Sequence, residues 1–275
     1  MLIDAHQHFW RVGENGLSWP PPDLAAIHRD FGPADLAAVG ALVGLAGSVL
    51  VQSQADDRDT DWLLDLAAGE PLVLAVVGWA DLKAPDAPAR IADLARRPKL
   101  RGLRPMLQDL EDDAWIAGPG LDPALDAMVT HGLSLDALVL TRHLPHLLTL
   151  ARRRPDLAIV IDHGAKPPIA TGENADAWAG GIEALAELPQ VFCKLSGLLT
   201  EAAPGQASDA LVPYVRRLVS AFGPGRLMWG SDWPVLNLAG DYAGWLALAR
   251  TLSGLTDPAD LAALFGGTSR RFYRI

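Results

Sequence analysis

The sequence predicts a (β/α)8 barrel, in which eight parallel strands form a closed ring and helices cover the outside. Short aliphatic or β-branched runs alternate with longer segments of helical periodicity, and this strand-then-helix order repeats along the whole chain. The length of 275 residues suits one such barrel. A doubly wound open sheet is the alternative, but no glycine-rich phosphate loop follows the first strand. We therefore expect a single domain over residues 1–275.

The predicted strands are short apolar runs that end in turn residues. They are Leu2–His6, Ser48–Gln52, Leu72–Gly78, Leu100–Pro105, Leu133–Ala137, Ala158–His163, Val191–Leu195 and Arg226–Ser231. Between them, apolar residues recur at intervals of three and four, as on one face of a helix. The predicted helices are Asp59–Ala68, Ala87–Arg97, Leu121–His131, Arg142–Arg154, Ala175–Leu188, Ser208–Phe222 and Tyr242–Leu252.

Composition excludes several classes of partner. The formal charge is −10, so we expect no binding to nucleic acid or to an anionic membrane. The most apolar stretch, Leu36–Val51, contains glycines and is short for a membrane span, so we interpret it as a helix end, a turn and a buried strand. The single Cys193 excludes an internal disulfide and a cysteine-based zinc cluster. Asp4 and His6 interrupt the first apolar run, which therefore does not have the pattern of a secretory signal peptide. We expect a cytoplasmic protein.

Two histidines lie one residue apart at the end of the first predicted strand. Because alternate side chains of a strand share a face, Asp4, His6 and His8 should project together. A pair of imidazoles suits a metal ion, a developing negative charge or a reacting carbonyl. We expect the Asp4 carboxylate to form a buried ion pair with Lys194 or Arg104, because a buried charge needs a partner.

Further polar residues follow the other predicted strands. In a parallel barrel the active site forms at the carboxyl ends of the strands, so these residues are its candidates. They are Gln52, Arg104, His163, Lys194, Ser196 and Asp232. Strand alternation places His163 on the face of Ile159 and Ile161, and Asp232 on the face of Met228. The sequence thus predicts that three imidazoles and a carboxylate meet at the barrel axis.

Five motifs that span nearly the whole chain occur in a characteristic order. They are Asp4-Ala5-His6-Gln7-His8-Phe9-Trp10, Gly102-Leu103-Arg104, Asp162-His163-Gly164-Ala165-Lys166-Pro167, Lys194-Leu195-Ser196-Gly197 and Trp229-Gly230-Ser231-Asp232-Trp233-Pro234. Together they resemble the amidohydrolase superfamily, in its amidohydrolase 2 branch of sugar-lactone and 2-pyrone-4,6-dicarboxylate lactonases. The resemblance implies a (β/α)8 barrel, hydrolysis of a cyclic ester, and a site formed by His6, His8, His163 and Asp232.

The chain departs from the wider superfamily at two strand ends. No lysine ends the fourth strand to become a bridging carbamate, and the fifth strand offers Asp136 instead of a histidine. We therefore expect no two-metal site and no required cofactor. A single zinc ion, at partial occupancy, would be held by His6, His8, His163 and Asp232.

Each candidate residue has a predicted role in opening a lactone. Asp232 is the expected general base for water, and the three histidines polarise the carbonyl, as N–H donors or as zinc ligands. The predicted substrate-binding residues are Arg104, Lys194, Gln52, Trp10, Trp79 and Trp233. For Lys194 a buried ion pair is the alternative. The proline-rich loop Trp19–Pro22 is the expected lid.

The expected substrate is a small sugar lactone, with the oligomeric state left open. It is an aldonolactone such as L-fucono- or L-rhamnonolactone, or an aldarolactone. One alternative is a zinc-dependent decarboxylase of the same superfamily, which would need the missing histidine of the fifth strand. Another is an inactive barrel that binds a sugar acid, although retention of all of His6, His8, His163 and Asp232 argues against it.

Overall fold

The computed structural model describes residues 1–16 and 19–275, and its eight parallel strands form one sheet in sequence order. The strands are β1 Leu2–Gln7, β2 Leu45–Val51, β3 Val73–Gly78, β4 Leu100–Leu103, β5 Ser134–Ala137, β6 Ile159–Ile161, β7 Val191–Leu195 and β8 Leu227–Trp229. The ring closes just beyond β8, where the Asp232 N–H donates to His6 O and the His8 N–H donates to Trp233 O, both at 2.8 Å. The predicted (β/α)8 barrel is confirmed.

Helices connect successive strands on the outside of the ring. They are α1 Pro33–Ala41, α2 Asp57–Ala68, α3 Ala87–Leu94, α4 Asp122–Thr130, α5 Leu144–Arg153, α6 Ala175–Ala186, α7 Val212–Phe222, α8 Tyr242–Ser253, α9 Pro258–Ala262 and α10 Thr268–Tyr273. The sequence predicted α2 to α8 within a few residues, but not α9 or α10. Of α1 it predicted only the end, before the turn into β2. None of the helices in the described residues is long and apolar enough to cross a membrane.

One apolar layer lies between the strands and the helices, and a second lies inside the ring of strands. Outward side chains pack under the helices, and Trp229 lies there against Tyr242 and Phe265. The inner layer consists of small or aliphatic side chains of the strands, with Phe272 and Tyr273 of α10 packed against them. These inner strand residues are Ala5, Val49, Val51, Ala75, Val77, Val160 and Met228. The layer fills the part of the axis below the polar residues, which lie toward the carboxyl ends of the strands.

A β-bulge in β1 corrects the predicted orientation of Asp4. Asp4 pairs with Ser48 of β2, and Gln7 pairs with Leu50. The three-residue advance along β1 therefore faces a two-residue advance along β2, so β1 contains one extra residue. Asp4 therefore faces α8 while His6 faces the axis. The predicted ion pair of Asp4 with Lys194 or Arg104 is wrong.

The partners of Asp4 are neutral groups on the neighbouring segment and helix. Its carboxylate accepts from the Ser231 N–H at 2.8 Å, the Ser231 hydroxyl at 2.6 Å and the Tyr242 hydroxyl at 2.8 Å. Burial raises the pKa of Asp4 to about 6, and these donors only partly offset it. The carboxylate thus links β1 to the segment that carries Asp232.

The predicted face of β6 is also wrong. Ile159 and Ile161 pack in the outer layer, and Val160 is the residue that faces the axis. His163 reaches the site because the strand ends at Ile161 and the backbone of His163 turns into the left-handed region, with φ at 54°. Strand alternation cannot predict a side chain that lies beyond the end of the strand.

We expect Tyr242→Phe to lower the free energy of unfolding at pH 7 by about 1.5–3 kcal/mol, since it removes a hydrogen bond to a buried charged group. Its matched control is Tyr214→Phe, where the hydroxyl donates to the neutral Pro168 carbonyl at 3.2 Å and the loss should be about 0.5–1.5 kcal/mol. Urea unfolding gives both values.

The loss of unfolding free energy caused by Tyr242→Phe should be smaller at pH 5 than at pH 7. The pKa of Asp4 is about 6 in the folded state against an ordinary 3.8, so the free energy of unfolding falls as pH rises from 3.8 through 6. Below pH 6 the Asp4 carboxyl of the folded protein is mostly uncharged. Equal losses for the two variants at both pH values would contradict the assignment.

Candidate active site

A cavity of about 630 Å³ opens at the carboxyl ends of the strands. Its polar lining residues are His8, Ser53, Gln54, Arg104, Gln108, Asp109, His163, Lys166 and Asp232. Apolar contacts come from Trp19, Ala55, Met106, Leu110, Leu138 and Val235. Three of the four residues that the resemblance implied therefore lie at its surface, and the fourth, His6, lies fully buried behind His8.

Asp232 is the centre of the polar cluster. Its Oδ1 atom lies 3.3 Å from His8 Nε2, 3.7 Å from His6 Nε2 and 3.7 Å from His163 Nε2. Asp232 is 5% exposed, and its backbone φ of 59° turns the side chain back over the end of β8. The predicted meeting of three imidazoles and a carboxylate is thus present in the structure.

Each cavity-facing imidazole is oriented by its second nitrogen. His8 Nδ1 lies 2.8 Å from Val51 O, which can only accept, so this nitrogen donates and Nε2 points into the site. His163 Nδ1 lies 2.8 Å from Ser196 Oγ. Gly197 leaves the space for the His163 ring, because a Cβ at this position would lie 2.6 Å from Nδ1.

Electrostatics keep the cluster in a reactive form. Burial raises the pKa of Asp232, but the attraction of His163 and the contacts with His8 and His6 outweigh burial and hold it below its ordinary value. Burial lowers the pKa of His163 to about 4. At neutral pH an ionised carboxylate therefore stands beside a neutral imidazole, so Asp232 is in its proton-accepting form, with a basicity below that of an ordinary carboxylate.

A fully buried charge network lies beneath His6. The Lys194 ammonium is 2.7 Å from Asp136 Oδ2 and 2.9 Å from Asp162 Oδ1. The Tyr273 hydroxyl donates to Asp136 Oδ2 at 2.5 Å. Burial lowers the pKa of Lys194, but the two carboxylates outweigh it and raise the pKa, so the ammonium form persists. The predicted ion pair of Lys194 exists, with partners other than Asp4.

Five predicted substrate-binding residues lie outside the described lining of the cavity, and their contact with a substrate stays a prediction. The described lining residues do not include Lys194, Gln52, Trp10, Trp79 or Trp233. Gln52 is buried and its amide donates to the Arg104 carbonyl at 2.9 Å, while the Trp10 indole donates to a loop carbonyl. Lys194, Gln52, Trp10 and Trp233 are buried, whereas Trp79 is half-buried.

Arg104 lines the cavity, as predicted, although it is only 3% exposed. Its Nη2 donates to the Gln52 carbonyl, and its Nη1 lies 3.5 Å from both His6 Nε2 and Asp162 Oδ2. The guanidinium is therefore fixed next to the cluster around Asp232.

Sequence reasoning gave no role to several residues of the site, among them Lys166, Gln54 and Gln108, and it named Trp19 only as part of the lid loop. Trp19 lines the cavity from the predicted lid loop, and Lys166 lines it with its ammonium 2.7 Å from Glu201. Lys166 stands inside the Asp162-to-Pro167 motif, which was a usable signal. Tyr273 gave no signal, because nothing local indicates that a residue of the last helix reaches Asp136.

Three of the predicted ligands fit a single zinc ion. His6, His8 and Asp232 each offer an atom, and these atoms lie within 4.8 Å of one another. The two imidazole nitrogens are 3.2 Å apart, close to the roughly 3.3 Å between tetrahedral ligands about 2.05 Å from zinc. His163, the fourth predicted ligand, is not part of this group.

Comparison with protein families gives a match to the amidohydrolase family model over residues 3–275. The chain belongs to the amidohydrolase family. It is 54% identical over 277 residues to an L-fucono-1,5-lactonase of Burkholderia ambifaria, with 99% of this chain and 95% of the relative aligned. An L-fucono-1,5-lactonase of Burkholderia multivorans is 37% identical over 286 residues, covering 100% and 96% of the two chains.

A solved structure supports the same assignment. The crystal structure of an amidohydrolase from Burkholderia multivorans with bound zinc superimposes with a TM-score of 0.94 and 36% identity. The superposition covers 100% of this chain and 99% of that one. The family placement therefore extends over the whole barrel of this amidohydrolase.

We expect Gly197→Ala to disturb the site where Gly205→Ala does not. Both glycines have positive φ, 64° and 75°, so each alanine should cost about 1–2 kcal/mol of unfolding free energy. A Cβ at Gly205 has open space, whereas one at Gly197 strikes the His163 ring. Ring-nitrogen NMR signals of His163 should shift only in Gly197→Ala. Unchanged His163 signals in that variant would contradict the packing role of Gly197.

Proposed function

We propose that this amidohydrolase opens a sugar-derived lactone, an aldono-1,5-lactone such as L-fucono-1,5-lactone. The observation that carries the proposal is the Asp232 carboxylate, with three imidazole nitrogens within 3.7 Å at the floor of a cavity. The names of the two relatives that are 54% and 37% identical support the substrate class.

Asp232 acts as the general base in this mechanism. It takes a proton from water as the water oxygen bonds to the lactone carbonyl carbon, which gives a tetrahedral oxyanion. The ring C–O bond then breaks, and Asp232 returns the proton to the departing ring oxygen. The product is the open hydroxy acid in its carboxylate form after loss of the carboxyl proton to solvent. A carboxylate that is ionised at neutral pH is ready for the first step.

Cavity-facing donors stabilise the oxyanion. His163 and Arg104 line the cavity beside Asp232, and both can present N–H groups to a carbonyl oxygen. His6 lies behind His8 and has no exposed surface, so its contribution is to hold its neighbour in place. The three imidazoles thus divide into two that face the substrate and one that supports them.

The wall of the cavity suits a small sugar. Gln54, Gln108 and Lys166 offer hydrogen-bond partners for hydroxyl groups. Leu138 and Val235 offer an apolar surface for the carbon skeleton. Sugar recognition therefore depends on loops after several different strands.

A divalent metal is compatible with this site. His6, His8 and Asp232 would hold a zinc ion, which would supply Lewis-acid polarisation of the carbonyl. The two N–H donors and the ionised base are sufficient for a cyclic ester, whose alkoxide leaves more readily than an amine. We infer that hydrolysis does not require the metal.

The alternative decarboxylase function is less well supported. Its site needs a histidine at the end of β5, where this chain has Asp136. That carboxylate is held by Lys194, Tyr273 and Ser134 and cannot take over the role of a cavity-facing ligand. The inactive-barrel alternative is also less well supported, because His6, His8 and His163 are all retained, with a ring nitrogen of each within 3.7 Å of Asp232 Oδ1.

We expect Asp232→Asn to fold and to lose about 10²–10⁴-fold in kcat, since an amide cannot accept the proton. The matched control is Asp176→Asn, an exposed residue of α6, which should retain wild-type rates. Acid release from L-fucono-1,5-lactone measures both. Activity of Asp232→Asn within a few-fold of wild type would remove Asp232 from the base role.

Hydrolysis should survive exhaustive dialysis against a strong chelator, with residual metal measured in the same sample. A panel of aldono- and aldarolactones should show the highest kcat/KM for a 1,5-aldonolactone. Activity that disappears on chelation and returns in proportion to added zinc would show that the metal is required. No turnover of any lactone would overturn the proposed function itself.

A further inference from the structure

The Lys194 ammonium is surrounded by three acceptors at the barrel axis. Asp136 Oδ2 lies at 2.7 Å, Asp162 Oδ1 at 2.9 Å and His6 Nδ1 at 3.2 Å. An ammonium has three N–H donors and no acceptor, so Asp136 Oδ2 and His6 Nδ1 each receive a hydrogen bond from Lys194, while Asp162 Oδ1 is an ion-pair contact that is not aligned for one. Because Lys194 is fully buried, a missing acceptor would leave a costly unpaired N–H.

This arrangement fixes the proton of His6. The Lys194 ammonium can only donate, so the Nδ1 atom that accepts from it is unprotonated, and the ring is neutral with a single proton. Since Nδ1 accepts from Lys194, that proton lies on Nε2. Asp162 Oδ1 is also 3.4 Å from Nδ1, but it is not aligned to receive an N–H hydrogen bond from this atom.

The adjacent histidine continues the same pattern. His6 Nε2 is 3.2 Å from His8 Nε2, and His8 Nδ1 already donates to Val51 O, so neutral His8 offers a lone pair at Nε2. Hydrogen bonds then run in one direction, from Lys194 through His6 and His8 to Val51. With the proton on Nδ1 of His6, two lone pairs would instead face each other at 3.2 Å. Arg104 Nη1, a rival donor to His6 Nε2, lies farther away at 3.5 Å.

We propose that Lys194 is a positioning residue that sets the direction of hydrogen bonding through both histidines, by holding the His6 proton on Nε2. His6 Nε2 then carries a proton and offers no lone pair to a metal, the Nε2 lone pair of His8 accepts that proton's hydrogen bond, and Asp232 remains the acceptor facing the cavity. Zinc binding requires the His6 proton to move to Nδ1, which breaks the bond from Lys194. The consequence for catalysis rests on the proposed function, whereas the hydrogen-bond direction does not.

Nitrogen NMR of the metal-free enzyme, labelled with ¹⁵N in its histidines, tests the proposal directly. The signals that vanish in His6→Asn belong to His6. We expect a protonated-type signal at Nε2 and an unprotonated-type signal at Nδ1. A protonated Nδ1 in the wild-type protein would overturn the proposal, whether or not any lactone is hydrolysed.

Zinc affinity provides the second measurement. Lys194→Met removes the donor to Nδ1, so the His6 proton should move to Nδ1 and zinc should bind about tenfold or more tightly, because one hydrogen bond from a charged group no longer has to be broken. Competition with a chromophoric chelator gives the dissociation constant. Tyr273→Phe is the matched control, since it removes a different bond of the same network and leaves the Lys194 contact with His6 intact.

A charge-compensated variant covers the risk that Lys194→Met fails to fold. Asp136→Asn combined with Lys194→Met removes one carboxylate along with the ammonium, and should show the same proton shift and the same gain in zinc affinity. Tyr273→Phe should show neither. Zinc affinity that is unchanged in a folded Lys194 variant, or that rises equally in Tyr273→Phe, would overturn the role of Lys194.

Discussion

The buried ammonium of Lys194, at the axis of the barrel, is the interaction on which the site depends. It pairs with both Asp136 and Asp162 where no bulk water reaches, and removal of the ammonium would leave two buried carboxylates without their shared cation. The same ammonium contacts His6 at 3.2 Å. One cation therefore stabilises two strand ends and orients the ring on which the cluster around Asp232 is built.

Above this network, the site is assembled from backbone in uncommon conformations. His163 and Asp232 both have positive φ, which an L side chain adopts only at a cost in free energy. Each is held by specific neighbours: the His163 ring by Ser196, and the Asp232 backbone by the His6 carbonyl. Local strain is thus maintained by the closure of the ring, because the partner in each case comes from another strand or the segment that follows it.

Few polar side chains of the Asp232 cluster face the cavity, but residues from many parts of the chain hold them in place. Asp232, His8, His163 and Arg104 reach the cavity, while His6, Gln52 and Lys194 hold them from behind. This is the pattern expected of a site whose groups must keep their geometry in a dry interior. Loop residues such as Trp19 and Lys166 complete the wall.

The sequence by itself determined the barrel, the eight strands and the cluster around Asp232, because strand periodicity and the order of motifs are local properties. It also placed Arg104 at the cavity. What tertiary structure decided is which way several side chains point. One extra residue in β1 turns Asp4 outward, and the early end of β6 turns His163 inward. Tyr273 meets Asp136 across 137 positions of sequence, and no local pattern encodes a contact that only the closed ring brings together.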